Sequence, residues 1–395
     1  MTKIVSFGCR LNSFESELIR KHVVAAGLKD VVVVHSCAVT AEAERQTRQA
    51  VRKALEQGKR VIVAGCSAQK SPEAYTALGV TAVLGNKEKL LLSSYIGLEG
   101  KGTRVLVSGE VSAEPRIAPD KFELKTKAFI QIQQGCNYAC AYCIVPTLRG
   151  KSQSFSSKYI FEQIESALNG GYKEVVLTGV DIASFTDLPA LTEEILARFP
   201  GLPRIRFSSL DPAANPDWLF RLMAAEPRIM PHIHISMQSG DDSVLKNMGR
   251  RHKAVDVLAL AASARGLVPH IGIGADVIAG FPGETVEHFK NTYDLIEKCK
   301  IPLLHVFAYS KREGTRAATM PGQVGAADKK SRAARLRLLG DRLKKDFIAG
   351  QMGSVRPVLI EAKGAGYTDN YIKLKVNAPK NTIVDTEISP ASIIV

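Results

Sequence analysis

Cys136, Cys140 and Cys143 stand in the run Gln134-Gly135-Cys136-Asn137-Tyr138-Ala139-Cys140-Ala141-Tyr142-Cys143-Ile144-Val145-Pro146-Thr147, a C-x3-C-x2-C spacing. It offers three thiolates where a closed metal site takes four. A cubane of four irons held by three protein thiolates keeps one iron open to a small molecule, whereas fully ligated clusters serve electron transfer. Zinc is the competing reading, but its structural sites are four-coordinate and no histidine follows the triplet before His232. Three inert buried thiols are the blander alternative. Against that, Gly135, Asn137 and Pro146 give the run the composition of a loop.

Cys9, Cys37 and Cys66 each end an apolar run, and they are separated by 28 and 29 residues. Helical patterns over 13–26 and 40–57 lie between them, which makes a strand, helix, strand rhythm and predicts a parallel sheet. Ser71-Pro72 reads as an N-cap with proline at the first position of another helix. In a parallel sheet the carboxyl ends of all strands open on one edge, so the three thiols should converge where such sheets bind ligands. A single cysteine at a strand end is ordinarily a small buried residue. Three at one topological position read as a second three-thiolate cluster. Cys299, in Glu297-Lys298-Cys299-Lys300, has no such company and reads as structural.

The elements that must position these groups follow from the rest of the chain. Its 395 residues suffice for two or three domains, and a hydrophobic fraction of 45% is that of a globular protein. No apolar run approaches the roughly 20 residues that span a bilayer, and the start of the chain lacks a signal-peptide pattern. The expected location is the cytoplasm, where seven cysteines stay reduced and serve as ligands rather than disulfides. A net charge of +14 points to a polyanionic partner, most simply a nucleic acid.

From about residue 121, six apolar runs (129–134, 175–179, 204–209, 232–238, 270–278 and 303–309) alternate with helical patterns and predict an incomplete (β/α)6 barrel of the TIM type. In such barrels chemistry gathers after the carboxyl ends of the strands, which is where the cysteine loop falls. Polar and glycine positions recur at the other strand ends. Of these, Gly179, Ser208, Gln238 and Asp276 are candidate cofactor contacts. His232 and His234 alternate with Ile233 and Ile235 and read as strand residues beside a core, not as ligands.

An arginine-rich helix is expected over 329–345, with Leu336, Leu338, Leu339 and Leu343 as its apolar face. Short alternating runs over 355–361 and 371–376 then predict a small antiparallel β module. Arg356, Lys363, Lys373 and Lys375 make it basic and are candidate phosphate contacts.

The cysteine triplet with Tyr142 just before its last member resembles the radical S-adenosylmethionine (SAM) enzymes, in which the amino acid end of SAM chelates the open iron. Adding the second trio and the β tail, the chain resembles the radical SAM methylthiotransferases along nearly its whole length. Phe7-Gly8-Cys9-Arg10-Leu11-Asn12, Val63-Ala64-Gly65-Cys66-Ser67-Ala68-Gln69 and Gly283-Glu284-Thr285 are most similar to the branch acting on threonylcarbamoyladenosine in tRNA. Branches for isopentenyladenosine and for a ribosomal protein aspartate carry other residues after the first Gly-Cys. The resemblance implies an N-terminal Rossmann-like α/β domain over 1–105, a linker over 106–121, a radical SAM barrel over 122–350 and a short TRAM-like β-barrel over 351–395.

It further implies two [4Fe-4S] clusters, with Tyr142 joining the SAM contacts and tRNA as the partner of a monomeric enzyme. An electron donor of flavodoxin or ferredoxin type would reduce the cluster on Cys136, Cys140 and Cys143. That cluster splits SAM into methionine and a deoxyadenosyl radical, and the cluster on Cys9, Cys37 and Cys66 holds the sulfur that is methylated and passed to carbon 2 of the base. Methylthiolation of a protein side chain is the nearest rival, disfavoured because basic ribosomal proteins would be repelled by the enzyme's own positive charge. An iron–sulfur RNA-binding protein without catalysis is the rival from another class, and it has no need for two open irons.

Overall fold

The first strands are short apolar runs that pair side by side: β1 (Lys3–Ser6), β2 (Val31–Ser36), β3 (Arg60–Gly65), β4 (Ala82–Leu84) and β5 (Arg104–Leu106). They form one parallel sheet in the order β1-β2-β3-β4-β5. This is a computed structural model that describes residues 2–98, 100, 102–109, 126–362 and 364–394. Most of the linker expected over 106–121 therefore lies outside the described residues, as does Lys363.

Helix α1 (Arg10–Ala25) sets Ile19 and Val23 against Val33 and Ile62 on one face of the sheet, while α2 (Ala41–Glu56) sets Val51 against Val34 and Val63 on the other. Thr40 caps α2 by accepting from the Ala43 amide. The helix expected from Ser71-Pro72 is shorter than its signal suggests. Helix α3 (Cys66–Lys70) begins at the third cysteine, and α4 (Glu73–Thr76) is a single turn without a side-chain cap. Helix α1 has a second apolar stripe: Phe14 and Leu18 belong to the core of the following unit. An element buried on two sides joins the units firmly.

That unit opens with β6 (Ala128–Gln131) and β7 (Gln133–Gln134), continuing through α5 (Val145–Arg149), β8 (Gln153–Ser154), α6 (Ser157–Asn169), β9 (Glu174–Thr178) and α7 (Leu188–Arg198). Next come β10 (Arg204–Phe207), β11 (Ser209–Leu210), α8 (Asp217–Ala225), β12 (His232–Gln238), α9 (Asp242–Met248) and α10 (Ala254–Leu267). It closes with β13 (Gly272–Ala279), α11 (Val286–Lys298), β14 (Leu303–Ala308) and α12 (Ala326–Ala349). The ladders run β10-β9-β6 and β11-β12-β13-β14, all parallel. Only Ser208 separates β10 from β11, so the two sheets form one curved wall of six strand positions, the expected partial barrel. Leu336, Leu339 and Leu343 of α12 are buried, but Leu338 is 69% exposed and does not belong to the apolar face.

The C-terminal module is an antiparallel sheet in the order β17-β16-β15-β18, from β15 (Val355–Ala362), β16 (Ala365–Thr368), β17 (Lys373–Lys375) and β18 (Ile383–Glu387). It caps the amino ends of the barrel strands. Arg204 donates to the Pro357 carbonyl at 2.6 Å, Arg206 to that of Asp369 at 3.0 Å, and Asn370 to that of His270 at 3.0 Å.

Candidate active site

Cys9 follows β1 and stands at the N-cap of α1, Cys37 follows β2, and Cys66 follows β3. All three line one cavity of about 600 Å³, as the shared sheet edge predicts. Gly8 lets the first loop close on the second: its φ is +103°, and a Cβ there would stand 2.9 Å from Cys37 Sγ. Asn12 ties the same loops together by donating to the Phe7 carbonyl at 2.7 Å and the Ser36 carbonyl at 3.1 Å.

Beneath this trio lies a buried charge network. Glu15 accepts from Lys89 Nζ at 2.7 Å and from Arg149 at 2.8 and 2.9 Å. Burial alone would raise the Glu15 carboxyl, but Arg149 and then Lys89 hold it well below its ordinary value. Arg149 comes from the barrel, at the end of the helix that follows the other cysteine loop, and also donates to Asn12 Oδ1 at 2.8 Å. Asn86 spans the same seam, with Nδ2 2.7 Å from the Leu148 carbonyl and 3.7 Å from Cys66 Sγ. One surplus cation thus underlies three thiols.

Cys136, Cys140 and Cys143 line a second, more open cavity on the loop after β7. Gly135 has φ +70°, and a Cβ on it would lie 1.9 Å from the Lys151 carbonyl oxygen, so the loop's entry admits only glycine. Gln133 fastens the base of the loop, donating to the carbonyls of Gln134 and Gly135 and accepting from the Asp181 amide at 2.9 Å. The Tyr138 amide points at Cys136 Sγ and the Val145 amide at Cys143 Sγ, each at 3.4 Å. Arg250 Nη1 lies 3.5 Å from Cys140 Sγ while its Nη2 reaches Asp211 at 3.1 Å.

Burial pushes the Cys37 and Cys143 thiols up to about 12, so an empty site keeps both protonated and a metal must displace those protons. Amide and guanidinium donors aimed at sulfur are the surroundings that stabilise iron–sulfur clusters, and both trios fit such a group.

A third cavity of about 210 Å³ lies between the two trios, lined by Cys143, Tyr142, Gln238, Asp276 and Tyr309 among others. It shares Val39, Thr40, Val145, Asp276 and Phe307 with the large cavity, so the two form one chamber. Gln238 ends β12 with φ +67°, beside a shift of register, a strained placement for a side chain facing a cavity. Asp276 pairs with His234 at 3.0 Å and His305 at 3.4 Å. Burial alone would raise its carboxyl, but hydrogen bonds from the two histidines hold it well below the carboxylate range.

Of the sequence candidates, Tyr142, Gln238 and Asp276 therefore meet beside Cys143. Gly179 and Ser208 instead line the large cavity, opposite Cys9, Cys37 and Cys66. Packing already accounts for Gly179, since a Cβ there would stand 2.8 Å from Gln133 Oε1. Arg356 makes a two-point ion pair with Asp369, at 2.7 and 2.8 Å, within the β module. Lys373 is half-buried and Lys375 exposed. Cys299 packs in the barrel core. Sequence reading passed over Glu15, Asn86, Lys89, Arg149 and Arg250. The available signal was nearness to the cysteine loop for Arg149; the others carry none.

The family model for the Radical SAM superfamily matches residues 130–296, and that for uncharacterized protein family UPF0004 matches residues 2–85. A radical SAM methyltransferase, TsrM from Kitasatospora setae, solved with cobalamin and a [4Fe-4S] cluster, shares the fold at TM-score 0.58 and 14% identity, covering 80% of this chain and 76% of that one. The chain thus has the radical SAM fold.

The threonylcarbamoyladenosine tRNA methylthiotransferase MtaB of Rickettsia prowazekii (strain Madrid E) is 43% identical over 95% of this chain and 91% of its own length. The protein of the same name from Thermotoga maritima is 34% identical over 94% and 90%. A tRNA-2-methylthio-N(6)-dimethylallyladenosine synthase of Arthrobacter sp. (strain FB24) is 32% identical over 97% and 77%. This chain belongs to the radical SAM methylthiotransferase family, whose cofactors are SAM and two [4Fe-4S] clusters.

Proposed function

We propose that this enzyme inserts a methylthio group at carbon 2 of N6-threonylcarbamoyladenosine beside the anticodon of tRNA. The observation that carries the reading is the chamber: the cavity lined by Cys9, Cys37 and Cys66, within the size range that takes a modified nucleoside, adjoins the smaller one lined by Cys143 of the other trio. The activity for which the Rickettsia and Thermotoga relatives are named supports this branch, and the net charge of +14 suits a polyanionic substrate.

Cys136, Cys140 and Cys143 would hold the cluster at which SAM binds, with a flavodoxin- or ferredoxin-type protein as electron donor; Cys9, Cys37 and Cys66 would hold the other. When bound, these groups supply the electron, the hydrogen-abstracting radical and the methylated sulfur that an unactivated aromatic C–H bond requires. The chain's own residues do the positioning. Tyr142 and Gln238 line the space beside Cys143 where an adenosine fits, and Asp276, held anionic, accepts from a ribose hydroxyl or an ammonium group. Arg250 and the Tyr138 and Val145 amides stabilise thiolate charge on the first trio. Exposed Lys375 and half-buried Lys373 are left to meet phosphate from the β module.

Mass spectrometry of tRNA nucleosides tests this. Anaerobically reconstituted enzyme with SAM, sulfide and reductant should convert threonylcarbamoyladenosine to its 2-methylthio form. Transfer of the methylthio group to isopentenyladenosine alone, or to protein alone, overturns the assignment.

A further inference from the structure

The large cavity carries an excess of hydrogen-bond donors that the chain does not use. Arg10, the first residue of α1 and the neighbour of Cys9, lines the cavity, and its Nη1 is buried without a hydrogen-bond partner among the described residues. Thr178 and Ser208, at the carboxyl ends of β9 and β10, are 1% and 5% exposed and line the same cavity, and their hydroxyls are also buried without a partner among the described residues. A buried donor without an acceptor keeps the full cost of its desolvation, so three on one cavity are unfavourable unless a ligand completes them.

The neighbouring charges sharpen the reading. Arg149 lines the cavity too but is committed to Glu15 and Asn12. Asp276, the carboxylate on this wall, is paired with His234 and His305. Buried His232 and His234 lie near enough for the Arg10 charge to help keep them neutral. Arg10 thus brings a guanidinium nitrogen without a hydrogen-bond partner among the described residues, beside two such hydroxyls, to the cavity that Cys9, Cys37 and Cys66 line.

The geometry points to a carboxylate subsite in which Arg10, assisted by Thr178 and Ser208, binds the acidic tail of the modified adenosine. This rests on the function proposed above and deepens it. A threonylcarbamoyl group ends in a carboxylate with a hydroxyl and a carbamoyl oxygen nearby, all acceptors. An isopentenyl group offers none, and leaves the three donors buried and unmet. The subsite thus selects between the two adenosine modifications through the cost of unpaired donors rather than through shape.

The test compares anticodon stem-loop RNAs that differ only in the tail: threonylcarbamoyladenosine, its carboxamide analogue, and isopentenyladenosine. Equilibrium binding and kcat/KM are measured on the reconstituted holoenzyme. The wild type should prefer the carboxylate over the carboxamide by about tenfold or more, the worth of a charge-assisted hydrogen bond. Arg10→Met should bring that ratio close to one, Arg10→Lys should restore part of it, and Thr178→Val should reduce it less than Arg10→Met does. Unchanged preference in Arg10→Met that still binds RNA and iron overturns the subsite. Should Arg10→Met fail to fold, Thr178→Val and Ser208→Ala decide: full preference in both overturns it. A wild type that modifies threonylcarbamoyladenosine without discriminating the carboxamide refutes this inference alone, whereas a wild type inactive on that nucleoside but active on another substrate refutes the function and the inference together.

Discussion

Glu15 is withdrawn from water among two cations, one from each side of a domain boundary, and the pairing with Arg149 couples the two cysteine sites mechanically. Replacing Arg149 by Met leaves a buried carboxylate with Lys89 as its one cation, which should cost about 3–5 kcal/mol in urea unfolding of the apoprotein. Adding Glu15→Gln should recover part of that loss, since the two changes act on one network. Recovery no greater than additivity allows would show that Arg149 acts elsewhere. The cysteines give a separate outcome. Serine at Cys9, Cys37 and Cys66 together should remove about half of the bound iron and leave SAM cleavage in place, while serine at Cys136, Cys140 and Cys143 should remove the other half and abolish cleavage. Retention of all iron in either triple variant would contradict two separate sites. These six residues were legible because a spacing of three and two, and a repeat near 28, survive as patterns along the chain. The Glu15 network was not, because its partners lie 74 and 134 positions away and only folding brings them together.

At the scale of elements, the loops after strands matter more than the strands they follow. Gly135 and Gly58 share a positive φ, +70° and +67°, but only Gly135 faces backbone, and nothing lies within 4 Å of a Cβ at Gly58. Gly58→Ala should cost about 1–2 kcal/mol, the ordinary penalty of the left-handed region. Gly135→Ala must also move the Lys151 carbonyl, and with it the turn that presents Cys136. It should cost more in thermal unfolding and lower iron uptake at the first trio, read as loss of SAM cleavage at unchanged protein concentration. Equal behaviour of the two variants would mean that the loop is not pinned. The six barrel strands and α1 and α2 were readable because apolar runs and polar helix faces alternate cleanly. Signals at single residues did less well: Ser71-Pro72 starts only one turn, since the chain must enter β4 shortly after, and Leu338 turns outward because three neighbouring leucines already cover β14 and its surroundings.

The described residues build a partial barrel, covered at the carboxyl ends of its strands by the cysteine-bearing unit and closed at the amino ends by the β module below. The lower closure was hidden in the sequence, where Glu174, Arg204 and Arg206 drew no reading and Arg356 read as a phosphate contact. In the fold, Glu174 is fully buried and meets Arg206 at 2.9 Å, Arg204 at 3.5 Å and Lys127 at 3.6 Å, while Lys127 also reaches Glu361 of the module at 2.7 Å. Burial would raise the Glu174 carboxyl, but Arg206 and then Lys127 and Arg204 lower it to about 2. Against the reference value of 4.5 for the unfolded chain, this group contributes stability that is fully present above pH 4.5 and is lost as the pH falls from 4.5 through 2. The depressed value corresponds to about 3 kcal/mol at most. Glu174→Gln should lower stability at pH 7 and flatten its decline between pH 4.5 and 2 relative to the wild type, both read from denaturant midpoints. The wild-type decline over that window should coincide with loss of the module's docking, seen as exposure of Tyr367 and Tyr371, whose rings lie 5.0 and 4.5 Å from Lys127 Nζ. If the variant and the wild type decline in parallel, the acid sensitivity belongs to other carboxylates and Glu174 does not hold the lower closure.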